Sequence, residues 1–141
     1  MKGKIGVIGF GNIAKAIITP LLDKGLINPK DVFCLVKTSN SLENIKKNYK
    51  YNVNIIQSDT KESNSVWNCQ IILLAIKPQQ LHDIIESQDN KQNKQLMISI
   101  LAGVSIEKLS KKFPNHRCAR VVTNIPIIVG RGLTGICWGE K

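Results

Sequence analysis

Acidic side chains are scarce in this chain. Ten Asp and Glu residues stand against twenty Lys and Arg, which gives 141 residues a formal net charge of +10. Aromatic residues are also few, at 5%. A nucleic-acid surface needs clustered cations interleaved with rings for bases to stack on. Here no basic run exceeds two residues, and the lysines are scattered among Asn and Gln. The excess charge reads as solvated lysines with a mild attraction for small anions, and nucleic acid is not an expected partner. Long apolar runs are missing too. None approaches the ~20 residues of a membrane span. The segment after Met1-Lys2-Gly3-Lys4 is broken by glycines, unlike a signal peptide. No membrane partner is expected, and a cytoplasmic location is.

Cysteine pairs and metal clusters are absent as motifs. Cys34, Cys69, Cys118 and Cys137 lie far apart without a C-x-x-C, each in or beside an apolar run. They are expected to be buried thiols in a reducing compartment. His82, expected on a helix surface, and His116, expected in a loop, are not spaced with them as zinc ligands would be. No metal site is expected. No acid–base pair and no Ser/His/Asp or Cys/His arrangement stands out either, so no catalytic residue is named.

What is present begins at the N-terminus. Ile5, Val7 and Ile8 form a short β-branched run that feeds into Gly9-Phe10-Gly11-Asn12-Ile13-Ala14, and an apolar helical pattern follows through Leu22. Strand, glycine turn and helix at this spacing fit the dinucleotide fingerprint G-x-G-x-x-G/A. Gly9 lets the chain turn off the strand. Gly11 lets a pyrophosphate approach the backbone. Ala14 lets the helix pack on the strand. The helix N-terminus offers N–H groups and partial positive charge to the anion.

The rest of the chain alternates in the same way. A helix over about 12–24 is expected to end at Gly25, with Pro20 bending it or ending it early. Asn28-Pro29-Lys30-Asp31 is a turn, Val32 to Val36 a strand, Leu42 to Asn48 a short helix, and Asn54 to Ile56 a strand. Asp59 to Asn64 reads as a polar helix or turn. Gln70 to Ile76 is apolar on both faces, as a central parallel strand must be. Pro78 opens a helix to about Ser87, followed by a polar loop to Gln95. Leu96 to Leu101 is a strand, Ser105 caps a helix through Lys112, Arg117 to Val122 is a strand, and Gly132 to Trp138 a last one. The expected fold class is α/β: a doubly wound, Rossmann-type, mainly parallel sheet with helices on both faces, in one domain over 1–141.

Ligands in such sheets sit beyond the carboxyl ends of the strands. At the end of the second strand an acid would accept from the ribose hydroxyls of NAD. This chain has Lys37-Thr38-Ser39-Asn40-Ser41, and the next acid is Glu43. A cation, hydroxyls and an amide suit a 2′-phosphate. NADP (NADPH) is therefore the expected cofactor, with NAD possible. Three further strand ends converge on the same edge: Ile76-Lys77-Pro78, Leu101-Ala102-Gly103 and Thr123-Asn124-Ile125-Pro126.

Four segments together resemble a known family. Ile8 to Ala14, Ala75-Ile76-Lys77-Pro78-Gln79, Ser99 to Val104, and Arg120 to Val129 are similar to the N-terminal domain of pyrroline-5-carboxylate reductase. That family reduces 1-pyrroline-5-carboxylate to L-proline with hydride from NAD(P)H. The resemblance implies that Gly9, Phe10, Gly11, Asn12, Ile13 and Ala14 cradle the pyrophosphate. Thr38, Ser39 and Asn40 would lie by the adenosine ribose. Ala75, Lys77 and Pro78 would border the nicotinamide ribose, with Ala102 and Gly103 beside the ring. Asn124 and Pro126 would shape the floor between cofactor and imine. Val122 and Ile125 replace the Met and Thr usual in the family's last motif, which removes a hydroxyl near the cofactor. The family continues into a helical C-terminal domain that forms its oligomer and carries the substrate loop. That domain is expected to be absent here.

Three readings follow: the cofactor-binding domain of such a reductase, an NADP-binding module or shortened remnant without turnover, and a different dehydrogenase of the same architecture. The four motifs together argue against the last. Without a covering domain, the strand from Gly132 to Trp138 is expected to leave apolar surface bare and to promote weak self-association.

Overall fold

A computed structural model describes residues 3–85, 95–124, 126 and 131–139. Seven strands form one sheet in the order β3-β2-β1-β4-β5-β6-β7. They are β1 (Ile5–Ile8), β2 (Val32–Val36), β3 (Asn54–Gln57), β4 (Ile71–Leu74), β5 (Leu96–Ser99), β6 (Arg117–Thr123) and β7 (Thr134–Trp138). All neighbours pair in parallel except β6 and β7, which are antiparallel with Val121 opposite Ile136. The α-helices are α1 (Asn12–Asp23), α2 (Ser39–Asn48), the single turn α3 (Asn64–Trp67) and α4 (Ile106–Lys112). Strand order reverses between β1 and β4, which places the ligand crevice at their carboxyl ends.

The apolar residues of β1 to β6 feed two cores, one on each face of the sheet. Ile5 and Val7 join Phe10, Ala14, Ile18 and Leu22 on the α1 face, together with Val32, Cys34 and Val36. Ile8 joins Leu35, Ile72, Leu74 and Met97 on the other face, with Trp67, Leu109 and Phe113. β1 and β4 are thus covered on both sides, as their near-continuous apolar sequences require.

Turn chemistry explains the helix ends. Gly25 has φ +64. Its N–H donates to the Leu22 carbonyl, and that of Leu26 donates to Leu21, a Schellman pairing that closes α1. Pro20 sits inside α1, and the helix continues past it to Asp23. Helix α2 starts three residues before the sequence suggests, because the Thr38 side chain accepts from the Ser41 N–H at 3.2 Å and acts as its cap.

Two expectations need correction. The segment after Pro78 is a 3-10 helix over Pro78–Asp83, not an α-helix to Ser87. Of its six residues only Leu81 is buried, so no apolar stripe holds a longer helix down. Ile84 is already extended, and 86–94, the greater part of the expected polar loop, lie outside the described residues. Cys137 is exposed, unlike Cys34, Cys69 and Cys118, because β7 is an edge strand whose five residues are all exposed. His116 lies outside helix and strand, as expected, and is buried beside the Trp67 and Phe113 rings at centroid distances of 6.2 and 6.1 Å. The bare edge is as expected: Val122, Leu133, Ile136 and Trp138 are all more than half exposed.

Candidate functional site

The chain leaves β1 through a turn that only glycine fits. Gly9 has φ +85, and a Cβ there would stand 2.8 Å from the Ala75 carbonyl oxygen and 2.7 Å from Ile76 Cγ2. Its N–H donates to the Leu35 carbonyl at 2.9 Å, which ties the turn to the end of β2. Gly11 is different. It is the N-cap of α1 with φ −84, makes no side-chain cap, and a Cβ on it would meet no protein atom within 4 Å. The space above Gly11 is therefore open to something other than the protein. Ala14 is 1% exposed, packed between α1 and the sheet.

A cavity of ≈ 620 Å³ opens over this turn. Gly9, Phe10, Gly11 and Lys15 form its floor, Lys37, Asn40, Ser41 and Asn44 one wall from β2 and α2, and Ser58, Asp59 and Ser63 the region beyond β3. Ile76, Gln80, Asp83, Ile84 and Ile85 close it from the β4 side, and the buried Trp67 borders it from below. Lys37 and Asp83 meet as an ion pair, Nζ to Oδ2 at 3.0 Å, and His82 Nε2 lies 2.9 Å from Asp83 Oδ1. The Lys37 hydrogen bond, then the charge of His82, hold the Asp83 carboxyl below its ordinary range. Open backbone at a helix N-terminus, two lysines and a polar wall suit a phosphate-bearing ligand.

Of the residues singled out in the sequence motifs, Ile8, Gly9, Phe10, Gly11, Lys37, Asn40, Ser41 and Ile76 line this cavity. Phe10 packs its ring edge-on to Tyr49 at 5.0 Å and is 5% exposed, so only its backbone is free to face a ligand. Asn12, Ile13 and Ala14 follow in the first turn of α1. Thr38 and Ser39 turn to structural tasks: Thr38 caps α2, and Ser39 Oγ donates to Gln57 Oε1 at 3.0 Å. Ala75 stands behind Gly9, its N–H bonded to the Ile8 carbonyl at 2.8 Å. Lys77 occupies the N-cap position of the 3-10 turn that Pro78 opens, its backbone N–H donating to Gln80 Oε1 at 3.1 Å. Ala102 and Gly103 form an exposed turn after β5, with Gly103 at φ +69. Asn124 is exposed after β6, its Oδ1 accepting from the Leu133 N–H at 2.9 Å. Asn12, Ile13, Ala14, Thr38, Ser39, Ala75, Lys77, Pro78, Ala102, Gly103, Asn124 and Pro126 are not on the cavity wall. Ile125 and Ile127 to Val129 of the last motif fall outside the described residues.

Sequence reasoning missed Lys15, Asp59 and Asp83. Lys15 lies one helical step past the fingerprint. Asp59 follows the end of β3, where the rule about strand ends would have found it. Asp83 carried no signal, because its position depends on the 3-10 turn.

Residues 4–103 match the family model described as NADP oxidoreductase, coenzyme F420-dependent. The chain belongs to that family. It is also similar, over nearly its whole length, to pyrroline-5-carboxylate reductases. That of Synechocystis is 34% identical over 136 residues, 96% of this chain and 49% of the relative. That of Haemophilus influenzae is 31% identical over 94% of this chain and 47% of the relative. The chain thus spans about half the length of these curated relatives. A solved pyrroline-5-carboxylate reductase from Coxiella burnetii superposes with a TM-score of 0.82 at 26% identity, over 99% of this chain and 51% of that one. The Plasmodium falciparum enzyme, solved with NADP bound, shares the fold with a TM-score of 0.73 at 22% identity, over 99% of this chain and 49% of its own.

Proposed function

We propose that this chain is the NAD(P)H-binding domain of a pyrroline-5-carboxylate reductase-type oxidoreductase acting in proline biosynthesis, with 1-pyrroline-5-carboxylate as its small-molecule substrate and the cytoplasm as its location. The observation that carries the reading is the cavity that runs from the open backbone at Gly11 to Lys37 at the end of β2. Its floor and wall match a dinucleotide laid across the switch point of the sheet.

In this reading the N–H groups from Gly11 to Ala14 and the Lys15 ammonium hold the pyrophosphate, while Gly9 and Phe10 shape the turn beneath it. Lys37, Thr38, Ser39 and Asn40 surround the adenosine ribose. Ala75, Lys77 and Pro78 edge the nicotinamide half, and Ala102, Gly103 and Asn124 stand at the strand ends where substrate would meet it. The bound cofactor supplies a hydride at its nicotinamide ring. The chain's own contribution is to fix that ring at the sheet edge, since hydride transfer to an imine carbon depends on close, oriented approach. Relatives are about twice as long, so the substrate pocket and the oligomer contacts are assigned to the part of the family fold beyond this domain.

Calorimetric titration with NADPH and NADH, run beside a pyrroline-5-carboxylate reduction assay, tests this. Micromolar binding of either dinucleotide is expected. Binding without turnover would make the chain a cofactor-holding module. Binding of neither dinucleotide would refute the reading.

A further inference from the structure

Lys37 immediately follows β2, at the position from which this class of sheet reads the adenosine ribose. The sequence around it holds no acid before Glu43, which suggests an unopposed cation. Folding brings one in from elsewhere. Asp83 closes the 3-10 turn after β4, forty-six positions along the chain, and places Oδ2 3.0 Å from Lys37 Nζ. Both residues line the cavity, so the ion pair spans it from the β2 side to the β4 side. Asp59 adds a second carboxylate at the end of β3. The cavity lining therefore carries Lys15 and Lys37 against Asp59 and Asp83, and its charge is balanced although the chain as a whole is strongly basic.

We propose that Asp83 is a specificity-determining residue: by holding Lys37 in an ion pair across the cavity it withholds that cation from a ribose 2′-phosphate and narrows the preference for NADPH over NADH to within a few-fold. The inference rests on the dinucleotide reading above. A phosphate monoester carries between one and two negative charges at neutral pH. To meet it, Lys37 has to share its ammonium with Asp83 or leave it, and in either case the carboxylate, with His82 Nε2 2.9 Å from its other oxygen, stands close to the phosphate as a like charge. A ribose with a free 2′-hydroxyl demands neither step, because a hydroxyl can donate to the Asp83 carboxylate while Lys37 stays in place. The pair is exposed, with side-chain accessibilities of 65% and 41%, so it is weak enough to break. The effect is accordingly a graded preference and not an exclusion.

Equilibrium titration of the full chain with NADPH and NADH, in the wild type and in Asp83→Asn, Lys37→Met and the double variant, tests the proposal. The wild type should bind the two within about fivefold of each other. D83N should raise the NADPH-to-NADH affinity ratio roughly three- to tenfold through tighter NADPH binding, the scale of one exposed ion pair plus one screened repulsion. K37M in the D83N background should abolish that gain. Thermal melting of each variant monitors folding, which a pair this exposed should leave unchanged. An unchanged ratio in D83N overturns the proposal. So does a gain that persists in the double variant, or a ratio that moves only because NADH binding weakens. Failure of the wild type to bind either dinucleotide removes the reading beneath it and the proposal with it.

Discussion

Gly9 and Ala75 are packed against each other so closely that the first has no room for a side chain: a Cβ on Gly9 would lie 2.8 Å from the Ala75 carbonyl oxygen. The contact joins the turn after β1 to the chain leaving β4, the point where the sheet reverses its order. Gly9→Ala combines that clash with a backbone at φ +85 that L residues rarely adopt. It is expected to cost about 2–3 kcal/mol of stability. Urea unfolding of the variant checks this, and a loss below about 1 kcal/mol would show that the turn relaxes.

Gly11 should behave in the opposite way. Its φ is ordinary and nothing in the protein occupies the Cβ position. Gly11→Ser supplies a good helix cap and should leave the melting temperature within a few degrees of the wild type. The added side chain enters the cavity, so NADPH and NADH affinity should fall at least about tenfold, the factor expected when roughly 1.4 kcal/mol of close backbone contact is lost. Equal affinity in G11S would mean the ligand does not approach this backbone.

The stability of the chain should depend on pH through His116. Burial beside Trp67 and Phe113 lowers its pKa from the ordinary value of 6.5. The unfolded chain then takes up a proton that the folded chain resists. The contribution is intact above about pH 6.5. It is lost as pH falls from there through the depressed folded value. Urea midpoints should decline between pH 7.5 and 5.5 in the wild type, and less steeply in His116→Gln. Parallel slopes would assign the decline to other groups.

At the far edge of the sheet, β7 should be the point of self-contact. Ile136 and Trp138 are 59% and 62% exposed on the strand that ends the sheet. Such edges pair with copies of themselves. Sedimentation should show concentration-dependent association that Ile136→Lys suppresses. The neighbouring Cys137 should react rapidly with a thiol reagent, while Cys34, Cys69 and Cys118 wait for unfolding. A strictly monomeric wild type at high concentration would contradict the first expectation.

The strands were legible because their signals are local. Ile5 to Ile8 and Val32 to Val36 are bounded by glycine, proline and polar residues, and the boundaries fall where those residues stop them. Gly9, Gly11 and Ala14 were legible for the same reason, since their spacing carries the geometry. What stayed hidden depends on distant parts of the chain. Nothing near Lys37 announces Asp83, and nothing near His116 announces Trp67, because each meeting needs the whole sheet. The 3-10 turn after Pro78 was misread because proline marks where a helix starts and says little about whether apolar contacts will sustain it.

The strand order has a kinetic side. Ile5 pairs with Ile71, so the centre of the sheet closes only when segments far apart in sequence find each other. Closing such a loop is the slow part of assembling a parallel sheet. Every residue lining the cavity lies between Ile8 and Ile85, and those that follow β4 reach it only once β4 has joined β1. A dinucleotide bound there would hold the β1–β4 seam shut and slow its opening. The β6–β7 pair, outside that seam, would gain less amide-exchange protection from the ligand than β1 and β4.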